Sequence, residues 1–77
     1  MDTPQVGDTL VLTPKTRRAE QVLLREGGQY LVVFASESVP IFNGPGIRIQ
    51  SCLTGETRWV AFPEDEQFAF TSAEVAL

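Results

Sequence analysis

Glycine and proline cut this chain into pieces too short for a long helix. The breaks fall at Pro14, Gly27-Gly28, Pro40, Gly44-Pro45-Gly46, Gly55 and Pro63. Between them cluster β-branched and aromatic residues, the composition of short strands. Val6, Leu10 and Leu12 share one alternation face of a first strand, which Thr13-Pro14-Lys15-Thr16 interrupts, because proline offers no N–H to a central ladder. Ala19–Arg25 and Gln29–Ala35 read as a hairpin around Gly27-Gly28, since paired glycines supply the positive φ of tight turns. Its register stays open. One pairing sets Leu24 against Leu31, the other Leu24 against Tyr30, and one residue of slip reverses every face.

Ser36–Gly46 reads as an irregular loop with a turn signal at Asn43-Gly44. Ile47–Leu53 and Glu56–Phe62 form a second hairpin. A three-residue loop with Gly55 in the left-handed position spares Thr54 a strained φ. That loop puts Trp59 and Ala61 in the core beside Ile49 and Ile47, and turns Arg48 and Arg58 outward. Phe62–Glu66 predicts one helical turn, with proline first and acids after it. Gln67–Thr71 predicts a last strand. The Thr71–Glu74 spacing suits a capping box, but the ends, 1–4 and 72–77, are expected to fray.

This order predicts an all-β fold: five or six short antiparallel strands in a small barrel, with a helical turn before the last strand. In element order, over most of the chain, it resembles an SH3-like barrel; an OB-type barrel is the alternative. The resemblance implies a fold and no activity.

The 77 residues suit one domain. A chain of this size buries only about 60–65% of its unfolded surface, so its core is thin. The hydrophobic fraction of 43% and charged fraction of 21% are those of a globular chain. A single cysteine, Cys52, cannot form an internal disulfide, and this suits a reducing compartment. No basic and apolar leader opens the chain, and no apolar run has membrane length. A cytoplasmic protein with no membrane contact is the expectation.

Histidine is absent, so no Ser-His-Asp or Cys-His arrangement exists within the chain. Cys52 reads as a buried or half-buried structural residue. Glu64-Asp65-Glu66 reads as a solvated acidic run, since contiguous side chains in one turn diverge. No enzyme, metal site or cofactor is expected. Gly44-Pro45-Gly46 lacks the lysine and following helix of a phosphate loop.

Two loops are left as binding candidates. Lys15, Arg17 and Arg18 are half of the chain's six cations. Their ordinary reading is a solvated loop with Glu20 and Asp8 as counter-ions. Ile41 and Phe42 sit in a loop without a regular partner, either as an exposed contact or with Phe42 folded back as a lid. Tyr30 is a further candidate for an exposed aromatic. The expected function is therefore a non-enzymatic module that binds another protein. Ile41, Phe42 and Tyr30 would make apolar contact, and Lys15, Arg17 and Arg18 would steer encounter. Nucleic-acid binding through Lys15, Arg17, Arg18, Arg48 and Arg58 is the alternative, opposed by a net charge of −4. A subunit of a larger or self-associating assembly is the third reading.

Overall fold

The computed structural model describes residues 4–72. Most of the expected frayed ends, and Glu74 of the capping spacing, lie outside the described residues. The elements run β1 (Thr9–Pro14), α1 (Arg17–Glu26), β2 (Gln29–Val39), β3 (Gly44–Ser51), β4 (Thr57–Ala61) and β5 (Phe68–Ser72). The five strands form one antiparallel sheet in the order β4-β3-β2-β1-β5. Among the described residues no pairing joins β4 to β5, so their sheet has two edges and does not close into a barrel. The fold is mostly β with one short helix.

That helix corrects the first expected hairpin. Ala19–Arg25 is helical, and Gly27-Gly28 is a helix-to-strand turn. Thr16 caps the helix: its backbone is extended, and its hydroxyl accepts the N–H of Ala19 at 3.0 Å. Glu20 lies in the first turn and Arg25 in the last, both on the favoured ends of the helix dipole. Ala19, Val22, Leu23 and Glu26 fall at helical spacing on one face. Ala19 and Glu26 are buried, and Val22 and Leu23 pack against the core. Leu24, whose alternation with Val22 suggested a strand, is 77% exposed. Gly27 ends the helix at φ 77 and ψ 177, a region open essentially to glycine alone. Neither candidate register of that hairpin exists, because β2 pairs with β1, Leu10 opposite Tyr30.

The segment 36–46 is also more regular than expected. β2 continues to Val39 and β3 begins at Gly44, so a hairpin turns over residues 40–43. Asn43 takes φ 54 at the expected Asn-Gly signal. A register shift between Val32 and Phe34 lets both Val32 and Ala35 sit opposite isoleucines, Ile49 and Ile47, while Phe34 faces Arg48. Phe34 thereby falls on the outer side of the sheet. The inner side carries Leu10, Leu12, Tyr30, Val32, Ile47 and Ile49, all buried.

The turn between β3 and β4 is one residue longer than expected. Gly55 has the positive φ, at 81°, but Ser51 closes on Glu56 across residues 52–55, with Ser51 N–H donating to Glu56 O at 2.8 Å. The Ser51 hydroxyl donates to Glu26 O at 2.5 Å and accepts the N–H groups of Leu53 and Thr54 at 3.1 Å. Three bonds to one hydroxyl thus hold a four-residue turn. The slip exchanges the faces of β4: Val60 is buried opposite Ile47, and Trp59 lies outside opposite Arg48. Trp59 is therefore not a core residue.

Residues 62–66 form no helical turn. The Asp65 carboxylate accepts the N–H groups of Ala61 at 3.0 Å and Gln67 at 2.9 Å. A side chain that bonds its neighbours' backbone in this way competes with helix. The Phe62–Pro63 peptide is cis.

Candidate interaction surface

Tyr30 is excluded from any surface. It is fully buried, and its hydroxyl donates to Glu26 Oε1 at 2.8 Å. Arg58 Nη2 donates to Glu26 Oε2 at 2.6 Å. Burial alone would raise the Glu26 pKa, but the hydrogen bonds from Arg58 and Tyr30 outweigh it and hold the carboxyl below its ordinary value. Burial, and then the bond to Glu26, push the Tyr30 hydroxyl well above its ordinary value. The pair is thus a carboxylate and a neutral phenol. Arg58 also lies over the Phe68 ring, 5.8 Å from its centroid. It belongs to the inner side of β4, whereas Arg48 is exposed on the outer side and donates to Thr57 Oγ1 at 3.1 Å. The expected outward Arg48–Arg58 pair does not form.

Lys15, Arg17 and Arg18 are all exposed. Arg17 and Arg18 occupy the first turn of α1, not a loop. Lys15 reaches the 62–67 segment and donates to Asp65 O at 2.9 Å. The expected counter-ion Asp8 instead accepts the N–H of Gln5 at 2.9 Å. Among the described residues neither Arg17 nor Arg18 is in an ion pair. Cys52 is exposed, not buried.

Exposed apolar surface gathers elsewhere. Ile41 is 76% exposed, Phe34 52% and Trp59 37%. Phe34 and Trp59 meet edge to face, with centroids 5.7 Å apart and planes at 71°. With Val39, Pro40 and Ile41 they line an open cleft of about 350 Å³. Phe42 is half-buried and folds back toward Gly46, where an added Cβ would stand 2.8 Å from its ring. Of the two readings of Phe42, the fold-back is the observed one, although it lids its own hairpin and not a barrel.

A second cleft, of about 580 Å³, lies between β4 and the segment leading into β5. It shares Ile41 and Trp59 with the first and is bordered by Glu64, Asp65 and Glu66. β4, an edge strand, contributes Arg58, Trp59, Val60 and Ala61 to the lining of this second cleft. The surface thus joins an apolar cleft, an acidic rim and a strand edge. Ile41 was legible in the sequence as a loop residue. Phe34 and Trp59 were not, because a bulge in one case and a turn length in the other set their faces. Comparison with protein-family models, with curated proteins and with solved structures finds no match for this chain.

Proposed function

We propose that this chain is a non-enzymatic interaction module that binds another protein through the surface of Phe34, Ile41 and Trp59. The observation that carries this reading is the clustering of three large exposed apolar side chains around one cleft. Such a contiguous patch is a common mark of an interface, and aromatic side chains anchor interfaces disproportionately. Tyr30 belongs to the core and makes no contact, while half-buried Phe42 folds toward Gly46 and borders only the second cleft. Glu64, Asp65 and Glu66 border the adjoining second cleft, which shares Ile41 and Trp59 with the first, so we assign electrostatic steering to them and not to Lys15, Arg17 and Arg18. The strand order, with the last strand beside the first, supports a half-open version of the SH3-like layout. A lone exposed thiol at Cys52 suits a cytoplasmic protein.

The test is affinity capture from the native cell with the wild type and a Trp59→Ala/Ile41→Ser variant, each checked for cooperative unfolding. Loss of a captured protein with the folded variant supports the reading. Equal recovery of every captured protein ends it.

One observation favours a second reading, nucleic-acid binding. Arg48 lies between Phe34 and Trp59 in the strand register, which makes a stacking platform with a cation. The pairing of Arg58 to Glu26 and the net charge of −4 weigh against it. This reading predicts retention of single-stranded DNA that falls steeply with salt. No retention at low salt removes it.

A further inference from the structure

We infer that the partner segment is an extended basic strand that adds to the open edge of β4. The inference rests on the surface reading above and deepens it. Two bonds set the phase of β4: Ser51 N–H to Glu56 O at 2.8 Å, and Phe62 N–H to Pro45 O at 3.2 Å. In an antiparallel pair, hydrogen-bonded and non-bonded positions alternate. Glu56, Arg58, Val60 and Phe62 therefore point their backbone groups at β3. Thr57, Trp59 and Ala61 point theirs away from it. The Ala61 N–H is already taken by the Asp65 carboxylate at 3.0 Å. Among the described residues the edge is thus closed at Ala61 and open across Thr57 and Trp59.

Edges that stay free of partners are usually blunted by lysine, proline, a bulge or an inward charge. β4 reads Thr-Arg-Trp-Val-Ala and pairs with β3 without a register shift. Its one charge, Arg58, is neutralised by Glu26. The edge therefore has little to repel a strand.

An added strand would send alternate side chains to opposite faces. One set would meet Trp59, with Phe34 and Ile41 beyond it. The other would enter the cleft bordered by Glu64 and Glu66, which are exposed and in no ion pair among the described residues. Charge complementarity selects the occupant. A second copy of this chain would bring another net −4 and the same acidic rim. A nucleic acid would bring phosphates to that rim. A strand alternating Lys or Arg with Val, Ile or Tyr satisfies both faces.

The test uses the full chain, ¹⁵N-labelled, with a library of eight-residue peptides that alternate Lys or Arg with Val, Ile or Tyr. Peptides with Glu at the basic positions, and peptides N-methylated on alternate residues, are the comparison arms. The expected result is that basic peptides slow amide exchange at Thr57 and Trp59 by about tenfold or more, while both comparison arms bind at least about tenfold more weakly. A Glu64→Lys/Glu66→Lys variant, altered only at exposed positions, should lose basic peptides and gain the acidic ones. The inference is overturned if no library member binds, if N-methylation or charge reversal leaves affinity unchanged, or if Thr57 and Trp59 keep exchanging freely. A mass that doubles with concentration overturns it in favour of a second copy, and single-stranded DNA protecting the same amides overturns it in favour of nucleic acid. In each of these cases the protein-binding reading still stands or falls on the Trp59→Ala/Ile41→Ser capture, so the two failures are distinguishable.

Discussion

Glu26 is the buried carboxylate among the described residues, and it stays charged because Arg58 and Tyr30 donate to its two oxygens. Glu26→Gln keeps the shape and removes the charge, which leaves Arg58 without its counter-ion. The expected cost is about 2–3 kcal/mol in urea unfolding near neutral pH. The pH dependence has a definite sign. A carboxyl whose folded pKa is depressed contributes stability above the unfolded value, about 4.3 for glutamate, and loses it as pH falls through the folded value. The gap between wild type and Glu26→Gln should therefore narrow on acidification below about pH 4. A gap that stays constant down to the lowest measurable pH would contradict the charged pairing.

Two short features decide what the elements do. Thr16 starts α1 by accepting the Ala19 N–H, so Thr16→Ala should lower stability by about 1 kcal/mol, with loss of helical circular dichroism on mild heating. Ser51 sets the β3–β4 turn. Ser51→Ala removes the bond to Glu26 O and the acceptor for Leu53 and Thr54. The expected cost is about 1–3 kcal/mol, since buried backbone groups lose partners. Trp59 provides the readout. If the hydroxyl holds the register, the variant's Trp59 emission changes along with its stability; unchanged emission and stability would show that the turn holds without it.

At the scale of the molecule, a thin core and an exposed patch share one sheet. Stability resides on the inner side, around Ile47, Ile49 and Val32, all fully buried. Ile49→Ala should cost about 2–5 kcal/mol. Phe34→Ser, on the outer side, should cost about 1 kcal/mol, chiefly its edge-to-face contact with Trp59. Paired urea titrations check the contrast. Comparable losses would mean that the Phe34–Trp59 patch is structural, which would undercut its assignment as a binding surface.

Two expected breaks were not breaks: Pro14 lies within β1, as its last residue, opposite Phe68, and Gly44-Pro45-Gly46 opens β3. The inward alternation of Leu10 and Leu12, the positive φ at Asn43 and Gly55, and the strand of Phe68 and Phe70 were legible in the sequence. Each depends on local backbone preference and on the period of two. What tertiary structure alone decided depends on partners far along the chain. The 17–26 segment carries both a strand-like alternation, Val22 and Leu24, and a helical face that ends in Glu26. A charge at a core position argues against that face until Arg58, 32 residues away, neutralises it. The side of β4 that Trp59 occupies depends on a turn one residue longer than local chemistry suggested, held by a bond from Ser51 to the carbonyl of Glu26, 25 residues away. Glu26 thus gathers Tyr30 and Arg58 inward through its carboxylate and, through its carbonyl, anchors the turn that leaves Trp59 outside. Local propensity carries no term for any of those contacts.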